Sequence, residues 1–268
     1  MTTHPWALIT GASGGIGRQY AIALARDYHY NLYLVSNQEK ELAELAREIK
    51  ETYHVLTESR CLNMAAADAA EQIYDYARQK EMHVEVLINN AGMLIFQPFF
   101  DTPIQKTETM LMLHMIALTK LTQLFGSDMR ARRKGYILNM SSMSAWMAMP
   151  SIVCYNATKA YVLSFSKALN FELRPYGIHV LALTPGSTDT GLLPFGEKFA
   201  KLLRATGITM SPARLVKRAL KVLFRTKRQR CMPGAWNYII VPIINHLPYW
   251  LVHFAMKQLP MFGLKKQK

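Results

Sequence analysis

The sequence predicts an α/β fold in which helices cover both faces of one parallel sheet. Two observations predict it. Short apolar runs alternate with helix-length amphipathic segments along residues 1–190, and no linker rich in Gly, Pro or Ser divides this part. Hydrophobic residues make up 50% of the 268-residue chain, which is enough for a large core and excludes a disordered or collagen-like chain.

The apolar runs define six strands, and the segments between them define five helices. We expect strands at residues 6–10, 31–36, 55–63, 84–89, 136–141 and 178–184. Helices are expected at residues 16–28, 39–52, 66–80, 103–133 and 151–174. The sequence therefore predicts one domain, with its core in residues 1–190 and a C-terminal helical extension in residues 191–268.

The C-terminal extension differs from the core in charge. Residues 198–268 contain fifteen Lys and Arg and no acidic residue, whereas residues 1–197 have a net charge of −1. Ser211 and Pro212 predict a helix start, because Ser caps helices and Pro suits their first position. The uncharged run 231–256 contains Pro242 and Pro248, which favours two short amphipathic helices over a membrane-spanning helix.

A glycine-rich turn joins the first strand to the first helix and is the strongest local signal. It reads Thr10-Gly11-Ala12-Ser13-Gly14-Gly15-Ile16-Gly17. Glycines at such a turn let the backbone approach a pyrophosphate, which the helix N-terminus stabilises. The candidate cofactor-binding residues here are Gly11, Ser13, Gly15, Ile16 and Gly17. The same letters also match a hydrolase nucleophile elbow, which is the weaker interpretation because that elbow normally lies deeper in the chain.

A second signal pairs Tyr155 with Lys159 inside an expected helix, where residues four apart share a face. A nearby ammonium favours the phenolate, so Lys159 is expected to lower the pKa of Tyr155 towards the range of a general acid or base. Ser142 ends the preceding strand and offers a hydroxyl to a substrate oxygen. The alternative is a half-buried tyrosine beside a surface lysine.

Together these motifs resemble the classical short-chain dehydrogenase/reductase family over roughly residues 5–190. The glycine turn, Asn89-Asn90-Ala91-Gly92, Ser142, Tyr155 with Lys159, and Pro185-Gly186 with Thr190 occur in the family order. The stretch 155–169 is similar to bacterial members related to 3-ketoacyl and 17β-hydroxysteroid reductases. The resemblance implies a Rossmann-type doubly wound sheet and an NAD(P)(H)-dependent oxidoreductase that interconverts a carbonyl and a secondary alcohol.

The resemblance also implies a role for each matching residue. Tyr155 would be the general acid in reduction, Lys159 would hold the nicotinamide ribose, and Ser142 would orient the carbonyl. The residues expected to line the cofactor cleft or close over the nicotinamide are Asn90, Ala91, Gly92, Pro185, Gly186, Thr188 and Thr190.

The sequence departs from the family pattern at three places. His114 stands where the family usually has asparagine, and it completes the candidate catalytic set. It is open to three interpretations: a tolerated change, a proton relay that titrates near pH 6.5, or loss of activity. Ser36 and Asn37 end the second strand without an acidic residue, which favours NADP and leaves NAD possible. Asn63 replaces the aspartate expected at the adenine and can still accept a hydrogen bond.

The expected substrate is an apolar carbonyl or alcohol with an acyl chain or a steroid-like ring. The alternative function is a nucleotide-binding scaffold with weak or no catalysis that binds a membrane or partner through its basic extension. Residues 215–223 and 249–256 are expected to cover the substrate cleft. Relatives pair through helices like those at 103–133 and 151–174, which predicts a homodimer or homotetramer.

Location and further partners follow from composition. The first strand is expected to begin at residue 6, so we expect no signal peptide before it, and the three cysteines lie far apart. We therefore expect a cytoplasmic protein, with the basic extension in peripheral contact with the inner, anionic membrane face. Neither a metal site nor a nucleic-acid-binding module is predicted.

Overall fold

A parallel sheet organises the chain. The computed structural model describes residues 4–186, 188, 209–234, 237–248, 250–252 and 254. Within them, seven strands pair in the order β3-β2-β1-β4-β5-β6-β7, and every pairing is parallel. The strands are β1 Trp6–Thr10, β2 Asn31–Ser36, β3 Thr57–Cys61, β4 Val84–Asn89, β5 Gly135–Met140, β6 Ile178–Leu183 and β7 Arg230–Cys231. All six predicted strands are present, and β7 was not predicted.

Helices cover both faces of this sheet, as the sequence predicts. In the part of the chain that the structure describes, they are α1 Gly15–Tyr28, α2 Glu39–Tyr53, α3 Ala69–Gln79, α4 Ile104–Leu111, α5 Leu118–Arg132, α6 Val153–Leu173, α7 Pro212–Arg225 and α8 Asn237–Asn245. One core cluster joins α1, α2 and α7 to the sheet, and a second joins α3 and α5 to its other face. The doubly wound, Rossmann-type architecture is therefore confirmed.

One predicted helix, residues 103–133, is divided in two. A π-helical turn, Met112–Ala117, separates α4 from α5. Its i→i+5 hydrogen bonds widen the helix locally, and such turns frequently occur at functional sites. His114 lies in the middle of this turn and is buried. Apolar periodicity carries no signal for one wider turn, so the sequence did not predict it.

Helix α7 starts as predicted but packs elsewhere than expected. The Ser211 side chain accepts a hydrogen bond from the Arg214 backbone N–H at 3.4 Å, and Pro212 occupies the first turn. The apolar stripe of the helix is buried against α1 and the sheet, in the main core. The expectation that residues 215–223 cover the substrate cleft is therefore wrong, because this stripe completes one helix layer.

Helix α8 follows β7 and approaches the end of the sheet where the motifs lie. It packs against the 3-10 turn Met143–Trp146, which directly follows Ser142. Pro242 lies inside α8, and Pro248 follows it. None of the helices in the described ranges is long and apolar enough to cross a membrane.

Candidate active site

The sequence motifs meet at the carboxyl edge of the sheet. The glycine turn follows β1, the Asn90–Gly92 loop follows β4, Ser142 follows β5 and Pro185 follows β6. Strands β1 and β4 are neighbours although two strands lie between them in the chain, so the order reverses there. Open α/β sheets bind their ligands in the crevice outside such a reversal.

The glycine turn forms a cradle that side chains would fill. Gly11 and Gly15 have φ values of +63° and +54°, in the left-handed region that favours glycine. A Cβ on Gly11 would lie 2.9 Å from the Cα of Ala91, and one on Gly17 would collide with the Gly11 carbonyl oxygen. The open backbone at the start of α1 therefore fits the pyrophosphate of a dinucleotide.

Asn90 braces this cradle from the neighbouring strand. Its side-chain amide donates to the carbonyl oxygens of Thr10 at 3.0 Å and Gly11 at 3.1 Å. The Thr10 hydroxyl oxygen accepts from the backbone N–H of Asn90 at 3.1 Å and of Ala91 at 3.0 Å. The Asn90 side chain thus links two loops of the cleft, in addition to the lining position that the sequence predicts.

Ser142 lies beside the Tyr155 phenol, where its hydroxyl favours the ionised form of that phenol. Ser142 also accepts from the Ser144 backbone N–H at 3.2 Å, which orients its hydroxyl group. The adjacent Ser141 instead donates to the Lys159 carbonyl oxygen at 2.7 Å and is buried. Of the two neighbouring serines, Ser142 is therefore the one placed beside the phenol.

Lys159 is buried behind the tyrosine ring. Its Nζ donates to the Met140 carbonyl oxygen at 2.8 Å and lies 5.4 Å from the centroid of the Tyr155 ring. Burial lowers the pKa of Lys159 to about 7. Burial also raises the pKa of Tyr155, and the nearby Ser142 hydroxyl offsets part of that rise. The expectation that Lys159 lowers the pKa of Tyr155 is wrong for this arrangement, because desolvation of the phenol dominates.

His114 connects the cofactor loop to the helix that carries Tyr155. Its Nε2 accepts from the Met93 backbone N–H at 3.0 Å, so the ring proton resides on Nδ1, which lies 2.9 Å from the Thr158 hydroxyl oxygen. That hydroxyl in turn donates to the Tyr155 carbonyl oxygen at 2.8 Å.

The buried imidazole is neutral at physiological pH. Burial is the main cause that places the pKa of His114 well below its ordinary value, and the nearby Lys159 lowers it further. The interpretation of His114 as a relay titrating near pH 6.5 is therefore wrong. The geometry instead makes it a positioning residue that holds two parts of the cleft together.

A small polar network ends β2, where the cofactor ribose is expected. The Ser13 hydroxyl lies 2.7 Å from the Ser36 hydroxyl and donates to the Gln38 side-chain oxygen at 2.7 Å. Asn37 is exposed beside this network. Sequence reasoning missed Gln38, because its contact with Ser13 joins segments 25 residues apart. The Asn63 side-chain oxygen accepts from the Ala65 backbone N–H at 3.0 Å and keeps a second lone pair.

The segment after β6 is held by the C-terminal extension. Gly186 has no room for a side chain, because an added Cβ would lie 2.5 Å from the Oδ1 of the buried Asn237. The Pro185 carbonyl oxygen accepts from the Met143 backbone N–H at 2.9 Å. Thr188 forms a bridge with Met210, and Thr190 lies outside the described residues. Sequence reasoning missed Asn237, because no local pattern places it beside Gly186.

Comparison with known proteins agrees with this geometry. The sequence matches the short chain dehydrogenase family over residues 5–198. It is 32% identical over 249 residues to a very-long-chain 3-oxoacyl-CoA reductase of Phaeosphaeria nodorum, covering 91% of this chain and 68% of that protein. It is 33% identical over 259 residues to the mouse 17-beta-hydroxysteroid dehydrogenase type 3, covering 94% of this chain and 79% of that protein.

A solved structure shows the same fold. The short-chain dehydrogenase of Sphingobium yanoikuyae, in complex with NADPH, superposes with a TM-score of 0.76 at 27% identity and covers 98% of both chains. The resemblance to 3-ketoacyl and 17β-hydroxysteroid reductases is thereby confirmed, whereas its bacterial character stays a prediction. The chain belongs to the short chain dehydrogenase family and is an NAD(P)-dependent oxidoreductase that interconverts a carbonyl and a secondary alcohol.

Proposed function

We propose that this protein reduces the ketone of an elongated apolar molecule, such as an acyl chain or a steroid, with NADP(H) as its cofactor. The observation that carries the proposal is the grouping of Ser142, Tyr155 and the buried Lys159, beside a small, partly open cavity whose lining includes Tyr155. Its apolar lining includes Ile95, Phe99, Met110, Ile152 and Val153. Apolar pockets with a few polar groups are typical of small-molecule sites, and the named relatives act on acyl-CoA and steroid substrates.

The arrangement of the polar groups supports the reductive direction. Because the pKa of Tyr155 is raised, its phenol stays protonated near neutral pH and can donate that proton to a carbonyl oxygen. Ser142, beside the same phenol, would orient the carbonyl. Bound cofactor supplies the hydride. His114 would keep the helix carrying Tyr155 in register with the cofactor loop.

The ribose end of the cleft supports NADP. Strand β2 ends in Ser36 rather than an acidic residue, so no carboxylate at that position repels a 2′-phosphate. The relative from Sphingobium yanoikuyae was solved with NADPH.

The catalytic proposal is tested with Tyr155→Phe and a panel of ketones of graded apolar length. We expect wild-type turnover with NADPH to rise with apolar length, and the variant to lose about 10²–10⁴-fold in rate with little change in NADPH affinity. Tyr161→Phe on the same helix is the matched control, because its hydroxyl bonds to Thr119 and lies outside the catalytic set. A Tyr155→Phe enzyme that kept more than about a tenth of the rate would exclude this site.

The cofactor proposal is tested by titrating NADPH and NADH into wild-type, Asn37→Arg and Asn37→Gln proteins. We expect NADPH to bind more tightly than NADH, and Asn37→Arg to widen the ratio, because charge-assisted hydrogen bonds are roughly twice as strong as neutral ones. Asn37→Gln keeps the side chain neutral and should leave the ratio unchanged. An unchanged ratio in Asn37→Arg would place the 2′-phosphate elsewhere.

The same panel of ketones distinguishes this proposal from the alternative, a nucleotide-binding scaffold with weak or no catalysis. Tight NADPH binding without turnover of any ketone would favour it.

We also propose that two copies pair through α4–α6, where Leu111, Ile116 and Phe171 are exposed. Sedimentation velocity of wild-type and Phe171→Ser protein tests the pairing, and a wild-type monomer at all concentrations would exclude it.

A further inference from the structure

We propose that the carboxyl edge of the sheet docks on an anionic lipid membrane, so that an apolar substrate enters the cleft directly from the bilayer. The docking surface is an apolar rim around the mouth of the cavity. The part of the proposal that concerns substrate entry rests on the proposed function, whereas the docking itself is independent of turnover.

The exposed large apolar side chains concentrate at this edge. In parallel α/β folds the loops after the strands and the starts of the helices lie together. Phe99 and Phe100 follow β4, Ile104 begins α4 and Val153 begins α6. Phe100 is 96% exposed, which is an unusual position for a phenylalanine unless something covers it.

The C-terminal extension adds to the rim. Helix α8 packs against Met143–Trp146, and Asn237 in its first turn contacts Gly186, so the helix starts at the same edge. Tyr238 and Ile243 on this helix are exposed. The described residues that follow α8 include Trp250 and Phe254, both exposed as well.

The rim and the cavity beside Tyr155 are continuous. Phe99 and Val153 are each about half exposed, and both also line the cavity beside Tyr155. A molecule that leaves an apolar phase covering the rim would therefore meet the cavity without crossing water. A protein partner or second copy seated flat on the rim would close the same mouth.

Charge selects the kind of membrane. Arg230 is exposed next to the rim, with its guanidinium 5.5 Å from the ring centroid of Trp146. Arg214 is exposed in the first turn of α7. The same edge carries carboxylates as well, on Asp101 after β4 and on Glu39 and Glu41 in the first turn of α2. The excess of positive charge therefore lies in the C-terminal part, which has no acidic residue after residue 197 of the chain. Basic residues beside apolar and aromatic ones suit an anionic headgroup layer.

The experiment sediments the full chain with vesicles of phosphatidylcholine alone or mixed with phosphatidylglycerol, at low and high salt. We expect binding to the mixed vesicles that weakens in salt. The double variant Phe100→Ser/Ile104→Ser should lower the partition coefficient by roughly tenfold or more, because two large apolar side chains no longer enter the interface. Leu56→Ser is the matched control, because Leu56 is 62% exposed but precedes β3 at the opposite edge.

Three results would overturn the docking proposal. The first is negligible binding of the wild-type protein to both kinds of vesicle. The second is a loss of vesicle binding in Leu56→Ser as large as that in the double variant. The third is self-association of the wild-type protein that the double variant abolishes. The last would show that a second copy covers the rim. Turnover of a short, water-soluble ketone should stay within about twofold in the double variant, so loss of turnover with retained vesicle binding would count against the proposed function instead.

Discussion

Buried Lys159 should make the stability of the cofactor-free protein depend on pH. Its pKa in the folded protein is about 7, against an ordinary value of 10.5, because burial penalises the charged form. Between these values the unfolded chain holds the proton that the folded chain has released. The free energy of unfolding therefore rises with pH across this window.

The magnitude follows from the shift. Each pKa unit corresponds to about 1.36 kcal/mol, so the contribution of Lys159 grows by about 2 kcal/mol between about pH 7 and about pH 9. It is complete above 10.5 and is lost as the pH falls through about 7. Urea unfolding of wild-type and Lys159→Met protein at both pH values measures it, since other groups titrate alike in the two proteins and cancel.

Lys167→Met provides the control, because Lys167 is exposed on the same helix. Its free energy of unfolding should change with pH as the wild type does. If the wild-type and Lys159→Met free energies changed in parallel between the two pH values, the ammonium would be solvated or paired in the folded protein. The assignment of Lys159 as a buried, partly deprotonated amine would then be refuted.

Two further predictions concern the cofactor cleft. His114→Asn should keep turnover within about tenfold and should not change the pH dependence of turnover near pH 6.5. His114→Leu should lower the free energy of unfolding in urea by about 0.5–1.5 kcal/mol, because the half-buried Met93 N–H loses its acceptor. Loss of a pH 6.5 inflection in His114→Asn would contradict the neutral assignment. Gly17→Ala should abolish measurable NADPH binding, because its Cβ would collide with the Gly11 carbonyl oxygen. Gly14→Ala should bind NADPH normally, since nothing lies within 4 Å of a Cβ there. Equal NADPH affinity in the two variants would contradict the assignment of the glycine turn as the pyrophosphate site.

The sheet and the order of the motifs were determined by the sequence itself. Strands such as β2 and β4 are buried along their whole length, so they occur as mostly apolar runs with clear ends, and β4 includes one acidic residue, Glu85. The start of α7 was also predictable from the local sequence, because the Ser211 side chain caps the helix by accepting from the Arg214 backbone N–H, three residues later. Ser142, Tyr155 and Lys159 were predicted for the same reason, since their spacing along one strand end and one helix is a local property.

Interactions across the chain were decided by the tertiary structure alone. His114 acquires its positioning role from Met93 and Thr158, which are 21 and 44 residues away. Asn237 meets Gly186 only because α8 folds back over the carboxyl edge. The direction of a pKa shift is equally non-local: Lys159 and Tyr155 lie four residues apart, yet desolvation by the surrounding fold outweighs their proximity. Periodicity records which face of an element is buried, whereas hydrogen-bond partners and desolvation depend on what the fold packs against it.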